Sequence, residues 1–224
     1  MIRGRLVDLS HTLRPGKEGR LMEVERLQAN QVDDLPLLPG QWYIMHNVKL
    51  VTHSGTHIEC PFHINEDGAD TASVPLERLV GEAVVLDLRG MAPRQEISLE
   101  QVKAAVERAG GLRRGDFALF FTGWDQYYGT HQYRQSPYPS PEAVRWLVDQ
   151  GVWLTGIDTG GAEVPGNVEH VNHHAMLDNL VPHIENLCNL GSLRKSRVLL
   201  FAAPVAVEGL ESMPVRVVAL ESED

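Results

Sequence analysis

The stretch Val48-Lys49-Leu50-Val51-Thr52-His53-Ser54-Gly55-Thr56-His57-Ile58-Glu59-Cys60-Pro61-Phe62-His63 decides how the chain must be read. Its first part, Val48 to Thr52, is rich in β-branched residues and reads as a strand. Its second part places His53, His57, Glu59 and His63 within eleven residues. On a helix His53 and His57 would share a face but Glu59 would not, and Gly55 and Pro61 both disfavour a helix. In a fully extended chain all four face one side, yet positions 53 and 57 then lie roughly 13 Å apart. The chain must therefore bend, and Ser54-Gly55 is the place to do it. The reading is a strand running into a Gly-bent loop that brings His53, His57 and Glu59 together, with His63 beside them beyond Pro61.

Working outward, further short apolar runs read as strands: Ala83 to Leu88, Phe117 to Thr122, Val152 to Ile157, Arg197 to Ala202 and Val215 to Leu220. Most are apolar on both faces and so belong between layers. The first ten residues look like the start of another strand. Two helices alternate with these runs. One begins near Ser98, with Gln101 completing a capping box, an apolar stripe of Val102, Ala105 and Val106, and Gly110-Gly111 at its end. The other has Ser140 as N-cap, Pro141 in its first turn, Val144, Leu147 and Val148 facing inward, and Gly151 past its end. A shorter helix is expected from about His173 to Leu180, stopped by Pro182. Strands and helices mixed in this way predict one α/β domain over residues 1–224. Residues 14–41 show no period and read as an irregular arm or lid.

Composition narrows the function. The formal charge is −10 with no block of Lys or Arg, which argues against a nucleic-acid partner. The longest apolar run, Val198 to Val207, contains Pro204 and falls short of the roughly 20 residues that span a bilayer. The first residues carry no apolar signal region. A soluble cytoplasmic protein is the expectation, with Cys60 and Cys188 as free, partly buried thiols.

Imidazole and carboxylate side chains in one short stretch are the ligand types of zinc, manganese and related divalent ions. The pattern is not the helical His-Glu-x-x-His of zinc proteases. A second source of ligands is the stretch Asn172 to Leu187, where His173 opens a short helix and Glu185 follows twelve residues later. His174, one residue out, is the competing choice. His170 and His183 read as structural. Trp42, Tyr43 and Trp124 are candidates for an aromatic wall against a flat substrate, with core packing as the alternative.

These residues resemble those of the cyclase family of metal-dependent hydrolases, which includes bacterial kynurenine formamidase and isatin hydrolase. The family pattern His-x-Gly-Thr-His-x-Asp-x-Pro-x-His matches His53 to His63. The likeness continues through Val7-Asp8-Leu9-Ser10-His11, Thr122-Gly123-Trp124, Gly156-Ile157-Asp158-Thr159, Glu185-Asn186-Leu187, Gly209 and Pro214-Val215-Arg216. The resemblance implies a compact swivelling β/β/α-type fold with a mixed, barrel-like β centre and helices outside, in dimers or larger homo-oligomers. It implies that His53, His57 and Glu59 bind metal, that His173 and Glu185 complete a second metal position, and that His63 carries a proton. One or two zinc or manganese ions per chain follow. The implied reaction is hydrolysis of an N-formyl arylamine or a cyclic amide by metal-activated water on a small-molecule substrate. Hydrolysis of a lactone or cyclic imide, and non-catalytic binding of metal or a small acid, fit the same residues. Two departures stand out: Glu59 replaces the usual Asp, and Gly160-Gly161 with Glu163 replace a Ser and a second Asp.

Overall fold

Apolar strands that must hide both faces end up in the middle of a curled sheet. The computed structural model describes residues 3–27, 40, 42 and 44–223. In chain order the elements are β1 (Arg5–Asp8), β2 (Met22–Arg26), β3 (His46–Leu50), β4 (His57–Glu59), β5 (Val80–Asp87), β6 (Glu96–Ile97), α1 (Leu99–Arg108), β7 (Phe117–Phe121), β8 (Tyr138–Pro139), α2 (Pro141–Asp149), β9 (Leu154–Ile157), α3 (Val171–Leu177), β10 (His183–Glu185), β11 (Arg197–Phe201), β12 (Ser212–Pro214) and β13 (Val218–Glu221).

Nine strands form one mixed sheet in the order β1-β13-β11-β5-β7-β9-β10-β4-β12. The pairs β5–β7, β7–β9 and β9–β10 are parallel, and the others are antiparallel. Alternate residues on the central strands serve two cores. Val85, Leu119, Leu154, Ile58 and Ile184 pack with Val7, Leu200 and Val217 inside the curl. Val84, Leu86, Phe120 and Ile157 pack under Val102 and Val106 of α1 and Val144 and Leu147 of α2. The curl is drawn in by the chain after β1: Leu9 donates to the Val217 carbonyl, Cys188 donates to that of Leu9, and Ser10 bridges Leu187. The result is a barrel-like half-barrel with helices outside, an α/β domain as expected.

Both main helices start where their caps predict. Ser98 Oγ accepts from the Gln101 amide while Gln101 Oε1 accepts from the Ser98 amide, and Ser140 Oγ accepts from the Ala143 amide. Gly110, Gly111 and Gly151 follow with positive φ. The inward face of α2 is Ala143, Val144 and Leu147, with Val148 only half-buried.

Four readings need correction. The expected strand from Val48 to Thr52 is β3, which starts earlier, pairs only with β2 in an exposed two-stranded ribbon, and stays out of the core. Its polar residues His46, Asn47 and Lys49 explain why. That ribbon also gives strand structure to residues 22–26 of the expected irregular arm; residues 28–39 and 41 lie outside the described residues. The expected strand from Val215 to Leu220 is shorter: β12 ends at Pro214 beside β4, and β13 begins only at Val218, between β11 and β1, so residues 215–217 are the crossing between the two strands. Helix α3 begins at Val171 and ends at Leu177. Among the described residues no helix is long and apolar enough to cross a membrane.

Ile58 is fully buried on the opposite face of β4 from His57 and Glu59. Ile58→Ala is expected to lower unfolding free energy by about 2–5 kcal/mol in denaturant titration, through the lost burial and the cavity left behind.

Candidate metal centre

Strand β4 is three residues long and lies between β10 and β12. In its antiparallel pairing with β10, His57 faces Glu185 and Glu59 faces His183, while Ile58 and Ile184 face the inner core. Directly paired residues share a face, so the register gathers two carboxylates and two imidazoles on the helix-bearing side of the sheet.

Gly55 makes the bend. Its φ is 60°, and a Cβ there would run into Leu13 Cδ2. The turn folds His53 back until its ring centroid lies 4.9 Å from that of His57. His53 Nδ1 is 2.9 Å from Glu59 Oε1, and its Nε2 is 3.2 Å from Glu211 Oε1. The Gly55 carbonyl sits 2.9 Å from His57 Nδ1 and also accepts from Asn186 Nδ2 at 2.9 Å. A carbonyl only accepts, so His57 carries its proton on Nδ1 and turns the Nε2 lone pair inward. That Nε2 is 3.4 Å from Glu185 Oε2 and 3.6 Å from Glu59 Oε1.

Helix α3 brings His173 over the same point. Its Nε2 lies 3.3 Å from Glu59 Oε2 and 3.8 Å from Glu185 Oε1, and its Nδ1 lies 2.9 Å from Glu163 Oε2. His63 follows from the 3₁₀ turn Pro61–His63, with Nε2 3.8 Å from Glu59 Oε1. His174 points outward and pairs with Asp178. His183 is buried below, bonded at Nδ1 to Thr155 Oγ1, and burial holds its pKa down at about 3.

The electrostatics favour a cation. Burial alone would raise Glu59, yet His173, His53 and His57 hold it well below the usual range. Burial and the Glu59 charge together push Glu185 up. Burial would depress His173, but Glu163, Glu185 and Glu59 outweigh it and push it up to about 12. Two buried atoms here, His57 Nε2 and Glu59 Oε2, have no hydrogen-bond partner among the described residues. Leaving such a group unsatisfied costs about 1–3 kcal/mol. Both belong to ligand types that suit a divalent ion, and the residues present fit one. Among the described residues, three trios have ligand atoms within 4.8 Å of one another: His53, His57 and Glu59; Glu59, His63 and His173; and Glu163, His170 and His173.

These groups lie in a cavity of about 950 Å³. Among the described residues its tyrosine lining is Tyr128 and Tyr133, in edge contact at 5.4 Å. Trp42 is exposed beneath the Arg26 guanidinium, Trp124 is buried against Tyr127, and neither lines the cavity. Tyr43 lies outside the described residues. Sequence reasoning missed Glu211, Tyr128 and Tyr133, which carry no spacing signal, noted Glu163 only as a departure from the resembling pattern, and set His170 aside.

The Cyclase family model matches residues 7–164. The chain belongs to the cyclase family. It is 30% identical over 181 residues to the kynurenine formamidase of Salinibacter ruber, covering 80% of each chain. It is 26% identical over 210 residues to the isatin hydrolase of Roseibium aggregatum, covering 84% of this chain and 76% of that one. Among solved structures, isatin hydrolase A from Ralstonia solanacearum superposes with a TM-score of 0.84 at 24% identity, over 96% of this chain and 91% of that one. That likeness shows the same fold.

Gly55→Ala is expected to cost at least about 1–2 kcal/mol, since the left-handed backbone and the Leu13 contact both penalise a Cβ. A drop in melting temperature checks it; an unchanged one would remove the bend from the account.

Proposed function

We propose that this cyclase-family member is a metal-dependent hydrolase of non-peptide amide bonds, acting on an N-formyl arylamine or a cyclic amide. The observation that carries the reading is the convergence of the inward-facing His57 Nε2 and Glu59 Oε2, both buried and unbonded, with His173 and Glu185 at one point in an open cavity. The names of the relatives, a formamidase and an isatin hydrolase, support the substrate class. His53, His57 and Glu59 would hold one zinc or manganese ion, and His173 and Glu185 would complete the set or hold a second. When bound, such an ion supplies a Lewis acid for a carbonyl and a more acidic water.

The rest of the chemistry belongs to side chains. His63 is half-buried and, unlike His53, His57 and His173, has among the described residues no partner fixing its second ring nitrogen. It is free to take the proton as water adds to the carbonyl carbon and to return it to the leaving nitrogen as the C–N bond breaks. Products are a carboxylic acid and an amine. Tyr128 and Tyr133 flank the cavity and suit a flat aromatic substrate. Tyr133 donates to Asn186 Oδ1 at 2.7 Å, which in turn steadies the Gly55 carbonyl behind His57.

We further place the chain in the cytoplasm as one domain over residues 1–224, forming homodimers or larger assemblies. The exposed apolar side chains Leu21, Val24, Trp42, Met45 and Val48 on and beside the β2–β3 ribbon support assembly.

Purified protein is expected to hydrolyse N-formylkynurenine or isatin, to stop with chelator, and to recover with added Zn²⁺ or Mn²⁺. His57→Ala is expected to lose the ion; equal metal content in both proteins would sink the assignment. His63→Ala is expected to keep the ion and lose turnover by about 10²–10⁴-fold. Unchanged turnover would remove His63 from the mechanism.

A further inference from the structure

The loop between β9 and α3 carries a carboxylate with an unusual number of partners. Glu163 Oε2 accepts from His173 Nδ1 at 2.9 Å, from the Asn172 amide at 3.1 Å and from the His173 amide at 3.3 Å. Glu163 Oε1 accepts from the Val164 amide at 3.0 Å. The residue at the N-cap position of α3, His170, has φ 50° and supplies no side-chain cap, so Glu163 caps the helix from outside. The loop is held close to the site: a Cβ on Gly161 would come within 3.1 Å of Glu185 Oε1.

We infer that Glu163 is a positioning residue of the metal centre, fixing the His173 imidazole so that Nε2 is presented to the ion beside Glu59 and Glu185. The inference rests on the proposed metal-dependent reading. The carboxylate can only accept, so His173 keeps its Nδ1 proton toward Glu163, and Nε2 is the nitrogen that would give up its proton to an ion. His57 is held the same way, by the neutral Gly55 carbonyl. A charged acceptor raises ligand basicity further, and such outer partners tune metal affinity by about 10–100-fold.

The test is Zn²⁺ affinity of the metal-stripped full chain, measured by competition with a chromophoric chelator, beside the visible spectrum of the Co²⁺-loaded protein. Glu163→Gln keeps an oxygen for the α3 amides but removes the charge. It is expected to weaken Zn²⁺ binding about tenfold and to shift the Co²⁺ spectrum, with the melting temperature of the metal-free protein unchanged. Glu163→Ala is expected to approach a hundredfold loss. His170→Ala is expected to bind as the unaltered chain does. Unaltered Zn²⁺ affinity and Co²⁺ spectrum in Glu163→Gln would show that Glu163 only caps α3 and would overturn the inference. A loss in His170→Ala matching that in Glu163→Ala would overturn it too, by placing the ion on Glu163, His170 and His173. If the unaltered chain binds no Zn²⁺ or Co²⁺, the metal reading itself fails before any variant is compared.

Discussion

Two buried carboxylates placed diagonally on one face of a strand pair constrain everything around them. Glu59 and Glu185 stand on neighbouring strands, and the β4–β10 register leaves them no way apart. Burying like charges without compensation costs several kcal/mol. The surroundings answer with imidazoles: His57 from the same strand, His53 from the folded-back turn, and His173 from the helix above. The Gly55 bend, the capping of α3 by Glu163 and the Asn186 bond to Gly55 each serve to keep those rings at that point.

The scaffold explains why the point is rigid. Ile58 and Ile184 anchor β4 and β10 in the inner core from the face opposite the site. The parallel strands β5, β7 and β9 are buried on both sides and carry α1 and α2. His57, Glu59 and Glu185 thus sit on strands and His173 on a short helix, while His53, His63 and the cavity walls come from loops and 3₁₀ turns. Such a division lets wall residues vary with substrate and leaves the cluster intact.

Much of this was legible before the fold was known. Gly55 and Pro61 ruled out a helix, and the bend they required is there. The caps at Ser98 and Ser140 located two helices because capping is local chemistry. What was not legible depended on distance along the chain. Strands β4 and β10 are three residues each, both a His and a Glu flanking an Ile, and exist only through their pairing. Val48 looked like core by composition but lies on an exposed ribbon, where β propensity is satisfied by a single partner. Glu163 and the two tyrosines reach the site through loops that no periodicity marks. Trp124 is a large ring by sequence, and that ring is buried against Tyr127 instead of lining the cavity.

The central claim is that these side chains bind a divalent ion at one point. Anomalous X-ray diffraction from crystals of the metal-loaded protein, measured at the absorption edge of the ion, locates it directly. The account predicts a peak at about 2.0–2.2 Å from His57 Nε2 and from a Glu59 carboxylate oxygen. A peak seated elsewhere on the chain, or none in fully loaded protein, would contradict it.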